Sequence, residues 1–258
     1  MNDNKLYGAV LIKAASILDV LSQSSEAMTM KEIADACQYT QSTTSKILNT
    51  LQAIDYIKRD SHSKRYSLGS RLIYLANSAF LQFDIVRETY PALKFLHDQF
   101  QETVHLGTLQ DNQILYLNKL STYKNNQEML SRIGYTQKLY CSAMGKAILS
   151  TFSPEEQKQY ITHEPLIART PYTITTPEAL LTQLQEINEL GYALDEREAE
   201  SHVFCVGACL QLNAQSSQYA FSISVPYSRI TPELKKEMIT AVIKTKNILE
   251  FQLHSQIK

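Results

Sequence analysis

The sequence predicts an α+β chain in two parts: a small helical front part closed by a basic hairpin, and a larger part built on an antiparallel sheet with flanking helices. Three observations predict it. Charge divides the chain, since residues 1–78 carry nine Lys/Arg against seven Asp/Glu whereas residues 79–258 carry sixteen against nineteen. The front part shows helical apolar spacing followed by one stretch of strand-like alternation. From Glu102 onward strands and capped helices are mixed without a βαβ rhythm, which argues against a doubly wound sheet. The organisation expected is 1–69 for the first domain, 70–84 for a connecting helix and 85–258 for the second domain.

Composition narrows function by exclusion. The 258 residues are 44% hydrophobic and 20% charged, enough for packed cores, and a net charge of -1 excludes a uniformly basic or acidic polymer binder. Only 7 glycines are present, and the closest two, Gly134 and Gly145, stand eleven positions apart. No G-x-G-x-x-G, G-x-S-x-G or complete P-loop can therefore exist. Gly145-Lys146 looks like the end of a P-loop, but Tyr140 occupies the position of its first glycine. Cys37, Cys141, Cys205 and Cys209 are too scattered for a disulfide framework. The N-terminus lacks the basic-then-apolar layout of a signal peptide. The longest uncharged stretch, Ser201 to Ser228, is broken throughout by Gln, Asn and Ser. A cytoplasmic protein with no membrane partner is expected.

In the front part, Val10, Leu11, Ala14, Ala15, Ile17, Leu18 and Leu21 recur at helical spacing and predict an amphipathic first helix. Thr29-Met30-Lys31-Glu32 is a capping box opening a second helix that reaches about Cys37. Gln38-Tyr39-Thr40 forms a turn, and a third helix follows with Ile47, Leu48, Leu51 and Ile54 as its buried stripe. Its open face is Gln41, Ser42, Thr44, Ser45, Lys46 and Asn49, with Thr40 and Thr43 at its start. Small polar side chains there can approach base edges and phosphates, Gln and Asn can pair bidentately with adenine, and Lys46 supplies charge for a phosphate. Taken alone, the same face also fits an ordinary solvated helix.

The next segment changes that balance. Tyr56-Ile57-Lys58-Arg59 and Lys64-Arg65-Tyr66-Ser67-Leu68 alternate like two short strands around the turn Asp60-Ser61-His62-Ser63. A hairpin carrying Lys58, Arg59, Lys64 and Arg65 directly after such a helix is a wing, able to lie along a DNA backbone or enter the minor groove. The front part is thus expected to be a winged helix-turn-helix that binds double-stranded operator DNA.

Leu68 to Gln101 reads as helical, with Leu72, Ile73, Leu75, Ala76 and Ala79 as one stripe and a break expected around Pro91. Thr103–Leu109 and Gln113–Leu120 form a hairpin through Gln110-Asp111-Asn112. Cys141–Thr151 is a short apolar helix, Pro154–Tyr160 a polar one capped by Ser153, and Pro177–Leu190 a longer one stopped by Gly191. Phe204–Leu212 and Tyr219–Val225 read as strands, and Thr231-Pro232-Glu233 opens a closing helix to about Leu253.

Several short motifs, taken in order, form one series along the chain. They are Leu11-Ile12-Lys13-Ala14-Ala15-Ser16-Ile17-Leu18, Ser42-Thr43-Thr44-Ser45-Lys46-Ile47-Leu48, Arg65-Tyr66-Ser67-Leu68-Gly69 and Ser142-Ala143-Met144-Gly145-Lys146-Ala147. Gly191-Tyr192, Asp195, Glu198, Cys205 and Ser222-Ile223-Ser224 complete the series. Together they resemble the IclR family of bacterial transcriptional regulators over essentially the full length. The resemblance implies an N-terminal winged helix-turn-helix and a C-terminal GAF-like domain that binds a small-molecule effector. It implies homodimers, with pairing into tetramers as a further step, on palindromic operators. It implies neither cofactor nor catalytic residue, and a repressor of a catabolic operon is expected.

The resemblance also implies an effector site at Ala143, Met144, Asp195, Cys205, Ser222 and Ser224. Chemistry supports part of this. Ser222 and Ser224 are two apart on a strand, so both hydroxyls share a face and can donate to one carboxylate. Backbone N–H groups at the start of the Ser142–Ser150 helix favour an anion, and Asp195 can accept from an effector hydroxyl. Relatives sense glyoxylate, pyruvate, aromatic acids, sugar acids such as 2-keto-3-deoxygluconate, or hydrophobic compounds; an acidic carbon-source metabolite is expected here. Lys138, Val203, Cys209 and Val225 stand where the family usually has Pro, Gly, Pro and Gly, and are expected at the pocket wall. Lys138 there is either a charge for an acidic effector or simply exposed. A rival reading makes His202, Cys205 and Cys209 the metal or nucleophile site of an enzyme or metal-binding sensor. Their H-x-x-C-x-x-x-C spacing lacks the second close pair that structural zinc needs.

Overall fold

The computed structural model describes residues 8–80, 84–121, 129–212 and 219–254. The chain divides into two compact units, Met1–Phe83 and Asp84–Lys258. The first holds α1 (Ala9–Gln23), α2 (Met30–Cys37), α3 (Gln41–Ala53), the strands β1 (Ile57–Arg59) and β2 (Tyr66–Leu68), and α4 (Ser70–Phe80). The capping box forms as the sequence predicts: Glu32 N donates to Thr29 Oγ1 at 3.3 Å, and Thr29 N donates to Glu32 Oε2 at 2.7 Å. Gln38 ends α2 with φ 55, in the left-handed region, and Thr40 caps α3. The core joins Ile17, Leu21, Ile33, Leu48, Leu51, Ile57 and Tyr66. Tyr66 pairs with Arg59 on one side and bridges to Met28 on the other, which ties the hairpin to the approach to α2.

Three expectations for this unit are corrected. Thr44 is buried, because its hydroxyl donates to the Thr40 carbonyl at 3.1 Å and turns inward. Ile54 is 48% exposed, lying past the end of α3. The apolar stripes of α1 and α4 are covered only in part within one chain, since Val10, Leu11 and Ile73 are exposed while Ile17 and Leu21 are buried. Ala79 lies outside the described side chains. Periodicity identifies an apolar face without stating what covers it.

The second unit begins with α5 (Asp84–Phe100). Pro91 does not break this helix: Pro91 and Arg87 both face solvent, so the carbonyl that loses its N–H partner is on the watered side. The strands β3 (Thr103–Gln110), β4 (Gln113–Leu120), β5 (Thr136–Lys138), β6 (Ala193–Glu196), β7 (Val203–Leu210) and β8 (Tyr219–Pro226) form an antiparallel sheet in the order β5-β4-β3-β8-β7-β6. Asp111 and Asn112 make the β3–β4 turn with φ of 48 and 58, the positive pair that suits a two-residue hairpin and its twist.

The helices α6 (Ala143–Leu149), α7 (Pro154–His163) and α8 (Pro177–Leu190) contribute to a core with Ile114, Cys209 and Ala220. Two glycines let α6 sit low. A Cβ on Gly145 would lie 2.4 Å from the Leu139 Cα, and one on Gly207 would lie 3.0 Å from Met144 N. Gly145-Lys146 is therefore a packing element in this fold and not a phosphate loop. α5 packs against α9 (Pro232–His254), and the two contact β3 and β7.

Candidate functional site

Gln41, Ser42, Lys46 and Asn49 stand exposed along α3, and Thr43 and Ser45 are half-buried beside them. Thr40 and Thr43 are engaged in the cap: Thr40 Oγ1 accepts from Thr43 N at 3.3 Å and donates to Thr43 Oγ1 at 3.0 Å. On the hairpin, Lys58, Arg59 and Lys64 are exposed. The Asp60 carboxylate organises the tip by accepting from His62 N, Ser63 N and Ser63 Oγ. The Ser63 bonds hold its carboxyl below the ordinary range. The Arg59 guanidinium lies 5.3 Å over the Tyr66 ring, and its Nε donates to the Lys64 carbonyl. Arg65 differs from its basic neighbours. It donates to the Ala27 carbonyl at 2.7 Å and pairs with Glu32 at 3.2 Å, so it anchors the hairpin to the start of α2.

In the second unit, sheet register assembles a polar patch. Asp195, Cys205 and Ser224 lie opposite one another across β6, β7 and β8, and Gly207, Ser222 and His105 lie opposite one another across β7, β8 and β3. Opposed residues share a sheet face. The first turn of α6 closes over that face, leaving a small cavity of about 30 Å³. Ala143, Met144, Asp195, Cys205, Ser222 and Ser224 all line it, together with His105, Tyr116, Ser131 and Glu200.

The lining is hydrogen-bonded. His105 Nε2 is 2.8 Å from Ser131 Oγ, and its Nδ1 is 3.5 Å from Ser224 Oγ, which donates to Cys205 Sγ at 3.1 Å. Burial, reinforced by Lys119, pushes the His105 pKa down to about 3, so the ring is neutral and offers one donor and one acceptor. Asp195 Oδ1 accepts from Glu198 N at 2.7 Å and Ala199 N at 3.4 Å. Burial, then the nearby Glu198 charge, raise Asp195 to about 7 against the pull of Lys146. Burial also pushes the Cys205 thiol up, so it stays protonated. Behind the cavity, fully buried Lys146 pairs with Glu198 and donates to Gln183 Oε1 at 2.7 Å. The Ser142 hydroxyl accepts from Gly145 N at 3.1 Å and so occupies one N–H of the α6 first turn.

A sequence profile described as the IclR helix-turn-helix domain matches residues 10–61, and one described as the bacterial transcriptional regulator IclR C-terminal domain matches residues 78–249. The chain belongs to the IclR family. It is similar to the HTH-type transcriptional regulator KdgR of Escherichia coli K12, at 30% identity over 229 residues, covering 89% of this chain and 86% of that protein. The crystal structure of the Thermotoga maritima IclR superposes with a TM-score of 0.78 at 29% identity, covering 95% of this chain and 99% of that one. The fold is also that of an IclR homolog from Microbacterium hydrocarbonoxydans complexed with 4-hydroxybenzoate, with a TM-score of 0.82 at 20% identity over 96% of this chain and 100% of that one.

As an IclR-family member the protein is a DNA-binding transcriptional regulator, not an enzyme, with its effector domain at the C-terminal side. The rival site is not assembled either. His202 lies 3.8 Å from Glu200, Cys205 bonds with Ser224, and Cys209 belongs to the helix-side core. Of the four departures from family pattern, only Val203 lines the cavity; Cys209 and Val225 are core residues, and Lys138 pairs with Glu164 at 2.8 Å. Among the described residues no helix is long and apolar enough to cross a membrane. Sequence reasoning missed His105, Tyr116, Ser131 and Glu200. A signal existed for one of them: His105 is the lone ionisable group of β3, set between Val104 and Leu106.

Proposed function

We propose that this regulator is a homodimeric repressor of a catabolic operon, and that a small carboxylate or sugar acid, such as a keto acid or 2-keto-3-deoxygluconate, controls its operator affinity. The observation that carries the effector reading is the convergence of Asp195, Cys205, Ser222, Ser224 and the Ala143-Met144 turn around one polar cavity. Residues 1–69 hold operator DNA, 70–84 connect, and 85–258 hold the effector. Gln41, Ser42, Ser45 and Asn49 read base edges, with Thr40 and Thr43 setting the start of the helix. Lys46, Lys58, Arg59 and Lys64 neutralise phosphates, and Arg65 holds the wing in register for them. The exposed Val10, Leu11, Ile12, Ile73 and Tyr74 supply apolar surface for a second copy. Pairing of dimers into tetramers would use further surface of the second unit.

A thermal-shift screen of central-metabolism acids and sugar acids tests the effector reading, since a ligand of the native state raises its melting temperature. An effector that binds wild type should fail to release operator from the Ser222→Ala/Ser224→Ala variant, while operator binding itself persists. A normal response of that variant would remove the cavity from effector sensing.

A further inference from the structure

We infer that residues 199–202 form a gate in the wall of the polar cavity, and that Arg197, clasped between Tyr172 and Tyr227, is the latch that keeps it shut. Its role as an entrance rests on the effector reading, whereas its opening is tested without any effector, so the two fail separately.

At about 30 Å³ the cavity has room for only about two waters, so any larger guest must move a wall. An outer cavity of about 360 Å³ adjoins it and shares Tyr116, Ser131, Gln137, Ala199 and Glu200 with it. Tyr116 and Gln137 are fixed in β4 and β5, and Ser131 is bonded to His105. Ala199 and Glu200 instead belong to the connection between β6 and β7, outside either strand.

This connection is pinned from two sides. Inside, Glu198 is the fixed point, paired with buried Lys146 and donating its N–H to Asp195. Outside, the Arg197 guanidinium lies 3.5 Å from the centre of the Tyr172 ring and 4.0 Å from that of Tyr227. Two rings so near can lie only on opposite faces of the guanidinium, so both stack on it. Arg197 also has a left-handed backbone, φ 70, and its Nε is buried with no hydrogen-bond partner among the described residues. Both are costs of the shut state, borne only where surrounding contacts enforce them. Those contacts are the two rings and the hydroxyls of Thr170 and Thr173, which donate to the Arg197 and Glu198 carbonyls, each at 2.7 Å.

Tyr227 ties the far end of the connection to the same latch. Its N–H donates to the His202 carbonyl at 2.7 Å, so one residue holds position 197 by its ring and position 202 by its backbone. Between them, Glu200 accepts from Leu130 N at 3.2 Å in an exposed bond that water can replace. Release of the guanidinium from the rings frees residues 199–202 to lift about Glu198, a local opening that joins the two cavities.

The test is alkylation of the full chain by N-ethylmaleimide, a reagent larger than the cavity's space, with each cysteine followed by peptide mass spectrometry. Cys205 lines the cavity, and Cys141 and Cys209 in the helix-side core serve as controls. Arg197→Ala, and separately Tyr172→Ala/Tyr227→Ala, should speed alkylation of Cys205 about tenfold and leave Cys141 and Cys209 at their wild-type rates. Tyr172→Phe/Tyr227→Phe keeps both rings and should keep the wild-type rate. An unchanged Cys205 rate in both alanine variants would overturn the gate. So would equal acceleration at all three cysteines, which is loosening of the whole unit. Acceleration by the phenylalanine pair as large as by the alanine pair would take the latch away from the rings. If Cys205 responds as expected but no acid in the thermal-shift screen binds, the gate stands and the effector reading falls; an acid that binds while Cys205 ignores every variant does the reverse.

Discussion

Lys146 is a full-length cationic side chain with no solvent exposure, and the second unit tolerates it only because Glu198 and Gln183 receive its ammonium. Such a pair is a weak source of stability but a costly one to break, because the survivor is left charged and dry. Lys146→Met should destabilise by about 3–5 kcal/mol in urea unfolding. The double variant Lys146→Met/Glu198→Gln should recover most of that, and no recovery would show the two groups act independently. Asp195, whose Oδ1 accepts the Glu198 N–H, carries a different signature. Its pKa is raised from 3.8 to about 7, so between those values the folded state holds a proton the unfolded chain has released. Stability from this group is complete below about pH 4 and is lost as pH rises toward about 7, at about 1.4 kcal/mol per pH unit. The unfolding free energy of Asp195→Asn, measured from pH 4 to pH 7.5, should therefore gain on wild type as pH rises. Parallel curves would mean Asp195 is an ordinary acid. The same residue shows what spacing cannot convey: its neighbours Cys205 and Ser224 come from other strands, and only sheet register joins them.

At the scale of elements, the wing separates two uses of positive charge that look alike in sequence. Lys58 and Lys64 are exposed and form no salt bridge among the described residues, although Lys64 lies near enough to Asp60 to lower its pKa, whereas Arg65 is committed to Ala27 and Glu32. Lys58→Ala and Lys64→Ala should each reduce the log–log salt slope of operator binding by about 0.9, the contribution of one phosphate contact. Arg65→Ala should leave the slope nearer wild type but speed amide exchange in residues 57–68, because the hairpin loses its tether. Fluorescence anisotropy over a salt series and hydrogen exchange distinguish these outcomes; equal slope changes for all three would return Arg65 to the phosphate contacts. Elements with local signals were legible from residues alone. The Thr29 box, the Ser153–Pro154 start and the Asp111-Asn112 turn each satisfy their own backbone groups within a few residues. The strands β5 and β6 were not legible, being only 3 and 4 residues long and fixed by pairing with β4 and β7. The tolerance of α5 for Pro91 likewise depends on which side faces water, and that is set by the sheet it packs on.

At the scale of the whole molecule, the exposed apolar side chains of α1 and α4 and the polar cavity belong to different units, and the proposed function has both act on operator affinity. If the proposed dimer places two recognition helices in successive major grooves, about 34 Å apart, affinity depends on holding both heads together. Leu11→Asp/Ile73→Asp should then shift sedimentation toward monomer and weaken operator binding far more than any single wing substitution, without changing the far-ultraviolet helix signal. A dimer that persists would place the interface elsewhere. The link between cavity and operator obeys a constraint that holds for any arrangement of the units. An effector that changes operator affinity by some factor must have its own affinity changed by operator by the same factor, and couplings of this kind are about 1–3 kcal/mol, or 5–150-fold. Titrating effector with and without operator, and operator with and without effector, closes a thermodynamic square. Equal factors from the two routes establish linkage through binding alone. Unequal factors would show that another equilibrium intervenes, and a change of assembly state on DNA is the first to test, because protomer concentration then enters one side of the square and not the other.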